Sequence, residues 1–145
     1  MKKQKSVCSK TNDYHMCMKL MRSGTRNLDP NYKRGLTQLA IDLATSKAND
    51  IKNEQSYKDN RGIDGDSYYW TSSDKMCSYS MALKDLSQAN EYFNNGRYKR
   101  VGHEVRQAKE KVEDCKNQFK NISLLRRWDR EFELLCDVVT ISLNE

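Results

Sequence analysis

Apolar residues recur at intervals of three and four along most of the chain, with polar and charged residues between them. This spacing places apolar side chains on one face of an α-helix. Four such runs are present, at residues 28–51, 76–93, 98–119 and 128–143. The last run is apolar over a broad arc, because Leu134, Val138 and Ile141 widen its stripe. We therefore predict four amphipathic helices, the last of them the most buried.

The segments between these runs indicate how the helices connect. Asn94-Asn95-Gly96 is a helix-stop and turn signal, and so short a connection makes its two helices antiparallel. Residues 53–73 are polar and contain two glycines, which predicts a long connection. The sequence therefore predicts an all-α fold in a single domain over 1–145. Its parts are an antiparallel up-down-up-down four-helix bundle over 27–145 and a short N-terminal helical hairpin extension over 1–26.

Composition excludes several classes of protein. The chain of 145 residues has one proline and six glycines, which argues against a turn-rich β fold. No stretch approaches the roughly 18 apolar residues of a membrane-spanning helix, so we expect no membrane partner. The basic start of the chain is not followed by an apolar stretch, so it is not a signal peptide. We expect either a cytosolic protein or one from which a signal peptide has been removed.

Five cysteines are a high count for a cytosolic chain. In an antiparallel hairpin, residues equidistant from the turn lie at the same level, and Gly96 is midway between Cys77 and Cys115. This symmetry favours a bridge between these two. It also allows a bridge from Cys115 to Cys136 across a turn near residues 121–127. That alternative stays open, although Cys136 lies one position off the apolar stripe.

A second possible bridge lies near the N-terminus. Cys8 and Cys17 are symmetric about Asn12-Asp13, which are good turn residues, so a short bridged hairpin is predicted. These two cysteines and His15 are close in sequence, but they lack a paired Cys-x-x-Cys and further ligands at zinc spacing. We therefore expect no metal site.

The sequence offers little for catalysis. His103 lies off the apolar stripe on a basic helix face, which favours a solvated histidine over a catalytic one. The chain contains no glycine-rich phosphate loop, dinucleotide fingerprint or nucleophile elbow. We therefore expect no enzyme activity, no catalytic residues and no cofactor, and binding is the default function.

The formal net charge of +6 makes an acidic partner plausible. Basic residues cluster where the third helix begins, at Arg97, Lys99, Arg100, His103 and Arg106. A solvated helix face explains such a cluster equally well. Acidic residues are interleaved throughout and no nucleic-acid-binding motif is present, so nucleic acid is not the expected partner. Asn121-Ile122-Ser123 is a glycosylation sequon in a predicted loop.

These residues together resemble a known family. Cys8-Ser9-Lys10-Thr11, with a second cysteine nine positions after the first, is similar to the opening of the plant invertase and pectin methylesterase inhibitors. The later part of the chain resembles the same family at Cys77, Tyr79, Ala82, Tyr98, Cys115, Phe119 and the apolar ending 135–143. The resemblance covers nearly the whole chain.

The resemblance implies a secreted plant protein of the cell wall or vacuole, with a four-helix bundle and an N-terminal helical hairpin. It implies bridges Cys8–Cys17 and Cys77–Cys115, which leaves Cys136 as a free thiol. Members of this family inhibit acid invertase or pectin methylesterase by docking a bundle face onto the enzyme in a stoichiometric complex, without chemistry of their own.

The resemblance also suggests where the chain docks and on which enzyme. The Pro-Lys-Phe segment linked with invertase binding is absent, and the region near it reads Arg97-Tyr98-Lys99. This places pectin methylesterase ahead of invertase as the expected target. The candidate contacts are Arg97, Tyr98, Lys99, Arg100, His103 and Arg106. Some relatives are pollen allergens, so a non-inhibitory protein that binds anionic ligands such as de-esterified pectin is the alternative.

Overall fold

The computed structural model describes residues 2–23, 34–60 and 77–144, with side chains of 3–23, 34–54 and 77–144. All regular structure in these ranges is helical. The helices are α1 (Lys2–Ser9), α2 (Tyr14–Arg22), α3 (Gly35–Asn60), α4 (Tyr79–Asn94), α5 (Tyr98–Lys111), α6 (Cys115–Gln118) and α7 (Ser123–Leu143).

Local sequence signals set several helix ends. The Asp13 side chain accepts a hydrogen bond from the Met16 amide at the start of α2. Ser78 does the same for the Met81 amide at the start of α4. Between α4 and α5, Gly96 has φ +74°, a left-handed conformation that glycine adopts without steric cost. This turn reverses the chain and sends α5 back along α4.

The four long helices form a bundle in which neighbours run antiparallel. α3 lies against α4 and α7, and α5 completes the square between α4 and α7. The buried hydroxyls of Thr37 and Ser142 are 2.7 Å apart, which joins the start of α3 to the end of α7. Lys47 near the middle of α3 is 3.0 Å from Glu131, further back on α7. The antiparallel up-down-up-down bundle predicted from the sequence is therefore confirmed.

Both predicted bridges are present. Cys8 and Cys17 join α1 to α2 with Cα atoms 5.5 Å apart, and this hairpin packs against α7. Cys77 and Cys115 join the residue before the α4 cap to the start of α6, with Cα atoms 5.1 Å apart. Cys136 is a free, buried cysteine, so the alternative bridge to Cys115 is not formed.

The core is built mainly from the predicted stripes. α7 contributes the most buried side chains, as its broad apolar arc indicates. On α3, however, the fully enclosed positions are three alanines and Ile51, whereas Leu39 and Leu43 are only partly buried. The buried apolar residues of the bundle helices include Ala40, Ala44, Ala48, Ile51, Ala82, Leu86, Ala89, Phe93, Val101, Val105, Ala108, Phe132, Leu135 and Val139.

Three boundaries differ from the sequence prediction. The single helix predicted over 98–119 is interrupted, because α5 ends at Lys111 and α6 begins at Cys115. The connection predicted at 53–73 was wrong in its first part, since α3 continues to Asn60. Helix α4 begins at Tyr79 after its Ser78 cap rather than at 76. The predicted start of the first bundle helix, at 28–33, and the rest of the connection lie outside the described residues.

Candidate functional site

The predicted basic residues lie together at one end of the bundle. This end contains the Gly96 turn, the start of α5, the start of α3 and the end of α7, and we call it the turn end. The side chains of Arg97, Lys99, Arg100, His103 and Arg106 are all exposed there, and we call these five residues the basic face. These side chains are therefore exposed to solvent, as their positions off the apolar stripe indicate.

Helical spacing aligns three members of the basic face. Lys99, His103 and Arg106 are four and three residues apart, which puts them on one side of α5. The Nε2 atom of His103 is within hydrogen-bond distance, 3.1 Å, of the Gln107 amide nitrogen. Arg100 turns towards α4, where its guanidinium lies 5.5 Å from the ring centre of Tyr92.

Tyr98 has a different place from its basic neighbours. Its ring is half-buried and meets Phe93 edge-on, with ring centres 5.5 Å apart. The Arg34 guanidinium covers the other side at 4.0 Å from the ring centre. Arg34 also donates a hydrogen bond to the Leu143 carbonyl, at 3.4 Å. Tyr98 therefore joins the start of α3 to α4 and α5 at the turn end, and no local sequence signal indicates the Arg34 contact.

A second cluster of charged residues lines a cleft that sequence reasoning missed. This cleft of about 560 Å³ lies between α5, α6, α7 and the turn of the N-terminal hairpin. The Lys109 ammonium is 2.8 Å from Asp137, and Lys116 is 3.2 Å from Glu133. We call it the charged cleft; its lining includes Asp13, Lys109, Glu113, Lys116, Arg126, Asp129, Arg130, Glu133 and Asp137.

Two carboxyl groups in the charged cleft are buried. Asp129 is 1% exposed and its Oδ1 accepts a hydrogen bond from the Tyr79 hydroxyl. Burial raises the pKa of Asp129 to about 7, against the opposing effect of that hydrogen bond. Burial also raises the pKa of Glu133, although the ion pair with Lys116 opposes it. One Glu133 oxygen has no hydrogen-bond partner among the described residues.

The only free cysteine among the described residues is not poised for covalent chemistry. The Cys136 thiol is fully enclosed and burial raises its pKa, which keeps it protonated. Within residues 2–23, 34–60 and 77–144, no three histidine, cysteine or acidic side chains are grouped as a metal site would require. No helix in those ranges is long and apolar enough to cross a membrane.

Comparison with known proteins identifies relatives in sequence pattern and in fold. A family model described as plant invertase/pectin methylesterase inhibitor matches residues 3–143. A search of the curated proteins for relatives in sequence returns no match.

Two solved structures share the fold. One is a mutant form of a pectin methylesterase inhibitor from Arabidopsis, with a TM-score of 0.82 and 19% sequence identity. That comparison covers 98% of this chain and 95% of the other. The second is a pectin methylesterase inhibitor from Arabidopsis thaliana, with a TM-score of 0.67 and 20% identity. It covers 97% of this chain and 94% of the other.

Proposed function

Because the chain belongs to the plant invertase/pectin methylesterase inhibitor family, we propose that it inhibits pectin methylesterase by docking onto that enzyme as a one-to-one complex. Proteins of this family are extracellular inhibitors of cell-wall enzymes, not catalysts. The observation that carries the proposal is the family match over 3–143, nearly the whole chain.

The basic face is the proposed contact surface. Its four arginine and lysine side chains and His103 are exposed at the turn end, whereas the charged groups of the cleft are largely engaged with each other. The underlying backbone is well fixed, since Tyr98 is held between Phe93 and Arg34. A rigid element that presents several cations favours fast association with an acidic partner surface.

The choice of enzyme rests on the sequence at the start of α5. Arg97-Tyr98-Lys99 stands near the place where invertase inhibitors of this family carry Pro-Lys-Phe. The absence of Pro-Lys-Phe there supports pectin methylesterase over acid invertase as the target.

The direct test is a titration of each enzyme with the purified, oxidised protein at acidic pH. We expect pectin methylesterase activity to fall linearly to an end point near one protein per enzyme, with invertase activity unchanged. Loss of invertase activity alone would identify the other target, and loss of neither would overturn the proposal. The reduced and unfolded protein serves as the negative control.

Charge reversal on the basic face tests the contact surface. We expect Lys99→Glu with Arg106→Glu to weaken the complex at least tenfold, because two cations at the contact become anions. Lys5→Glu with Lys120→Glu is the matched control, since it changes the net charge equally at exposed positions outside the basic face. Equal weakening by both pairs would show that net charge alone matters and would overturn the assignment of the surface.

The same exposed cations favour a second candidate function, binding of de-esterified pectin. Binding to a polyanion through these side chains should weaken steeply as salt rises, because screening shortens the reach of the charges. Retention on immobilised de-esterified pectin, measured at low salt and at 0.5 M salt, tests this. Binding that ignores salt, or no binding at all, would remove this candidate.

A further inference from the structure

The sequon Asn121-Ile122-Ser123 lies at the end of the bundle opposite the basic face. The asparagine and serine side chains are exposed and neither makes a hydrogen bond to another described residue. We propose that Asn121 carries an N-linked glycan in the secreted protein, and that this glycan stands clear of the docking surface. The glycan is attached at a site of its own, whereas its clearance from the docking surface rests on the proposed function.

Local structure presents Asn121 to solvent. The Ile122 amide donates a hydrogen bond to the Phe119 carbonyl at 2.8 Å, which closes a turn between α6 and α7. Phe119 is fully buried and Ile122 packs against the core, so the residues around Asn121 are anchored. The asparagine between them points outward at the tip of the turn, which is the usual setting for a modified sequon.

The chemistry needs one co-reactant, an oligosaccharide linked to a lipid pyrophosphate in the secretory pathway. The Asn121 amide nitrogen forms a bond to the first sugar's anomeric carbon while the bond from that carbon to the pyrophosphate oxygen breaks. The lipid pyrophosphate leaves, and the amide nitrogen loses one proton to a base of the transferring enzyme. The Ser123 hydroxyl is the sequon group that this transfer requires.

The bundle separates the glycan from the basic face by nearly its full length. Helix α7 starts at Ser123, two residues after Asn121, and runs for 21 residues to Leu143 at the turn end. At 1.5 Å per residue it is about 30 Å long. A β-carbon added to Gly102 of α5 would lie 3.9 Å from the Leu143 side chain, so α7 ends beside the basic face. A glycan at Asn121 therefore leaves that surface open.

A glycan at Asn121 would lie beside an exposed apolar side chain. Leu124 is three residues away and is one of the few large apolar side chains exposed in the described residues, at 39%. Exposed apolar side chains favour association between molecules, and a bulky polar oligosaccharide beside one hinders it. We expect the unglycosylated protein to be the less soluble form.

The test is expression of the whole chain behind a signal peptide in plant cells, with the mass of the secreted protein measured before and after a peptide N-glycosidase. We expect one glycan, released with conversion of residue 121 to aspartate. Asn121→Gln and Ser123→Ala should both abolish it, whereas Ser123→Thr preserves the sequon and should keep it. Asn117→Gln is the matched control, an exposed asparagine outside any sequon. Secreted protein at the unmodified mass would overturn the proposal.

A second measurement tests the separation of the two ends. The glycosylated protein and Asn121→Gln should inhibit pectin methylesterase with the same end point and affinity. Inhibition by Asn121→Gln alone would show that the glycan reaches the contact and would overturn the two-ended arrangement. Failure of both forms to inhibit would count against the proposed function and leave the mass result intact.

Discussion

Two glycines near the turn end differ in whether their backbone conformation requires glycine. Gly96 has φ +74° in the turn, whereas Gly102 lies inside α5 with ordinary helical geometry. A β-carbon at Gly102 would meet Arg106 at 3.7 Å and Leu143 at 3.9 Å, which are normal contact distances. The backbone therefore needs glycine at the first position only.

Gly102→Ala should stabilise the protein by about 1 kcal/mol, because alanine has the higher helix propensity. Gly96→Ala is the comparison and should destabilise it by about 1 kcal/mol, since an L-residue is strained in the left-handed region. Urea unfolding of both variants and the parent gives the two free energies. A loss of stability in Gly102→Ala would mean that Leu143 or Arg106 cannot accommodate the methyl group.

The free thiol of Cys136 should be detectable only when the bundle opens. It is 1% exposed and burial raises its pKa, so it offers no thiolate to a reagent. In the unreduced native protein we expect no reaction with a thiol-specific dye over hours, and one thiol per chain in denaturant. Fast labelling of the native protein would contradict the buried position.

The exposure of polar residues that alternate with an apolar stripe could be predicted from the sequence. The contacts of charged residues that are buried could not. Lys99 and His103 alternate with Val101 and Val105, so their exposure follows from helical period alone. The contact of Arg34 with Tyr98 joins segments far apart in sequence and has no local signal. The acidic residues of α7 do have a local sequence signal, because Asp129, Glu133 and Asp137 recur every four residues within an apolar helix.

At the scale of the elements, α7 carries a buried carboxyl group whose contribution to stability depends on pH. Its buried Asp129 accepts a hydrogen bond from the Tyr79 hydroxyl of α4. The nearby charges of Glu133 and Glu113 raise the pKa of Asp129, and that of Lys116 lowers it. The pKa of Asp129 rises from 3.8 to about 7 in the folded protein. The native state therefore holds this proton more tightly than the unfolded chain does, which favours folding at acidic pH.

The contribution of Asp129 to stability should accordingly be complete below about pH 4 and be lost as pH rises towards 7. The pKa difference sets an upper limit of about 4 kcal/mol on the decline from this group. Asp129→Asn keeps an acceptor for Tyr79 but cannot ionise, so it should flatten the profile. Urea midpoints at pH 5 and pH 7.5 for both proteins provide the measurement. An unchanged slope in the variant would assign the pH dependence to other groups.

The helices themselves were predictable because each buries one face. Val101, Val105 and Ala108 are enclosed as their spacing requires. The interruption before Cys115 was not predictable, since Val112 and Cys115 remain buried across it. The hydrophobic period indicates which side chains face the core. It does not indicate which backbone carbonyl accepts the hydrogen bond of each amide, so it cannot reveal where a helix is interrupted. The extension of α3 to Asn60 was missed for the converse reason, because those last residues are polar.

For the whole molecule, the two bridges close loops of very different length. Cys8–Cys17 spans nine residues within the hairpin, and Cys77–Cys115 spans 38 across α4 and α5. On the chain-entropy account, a bridge stabilises the fold by restricting the unfolded chain, and more so for a longer loop. The longer bridge should therefore contribute more to the free energy of unfolding.

Replacing both Cys77 and Cys115 by serine should cost about 4 kcal/mol, and the same change at Cys8 and Cys17 about 3 kcal/mol. Thermal and urea unfolding of the two double variants, each with the other bridge intact, gives the comparison. A larger loss from the hairpin bridge would show that the hairpin's packing on α7 depends on its covalent closure.

Both bridges join cysteines that are consecutive along the chain, with Cys136 last. Protein synthesis delivers a chain to an oxidising compartment from its N-terminus, so Cys8 and Cys17 arrive before any competitor. Cys115 then enters before Cys136, with Cys77 already present as a partner. Each thiol therefore encounters its native partner first, and the cysteine that stays free enters last. The order of entry thus favours the native pairing over a bridge to Cys136.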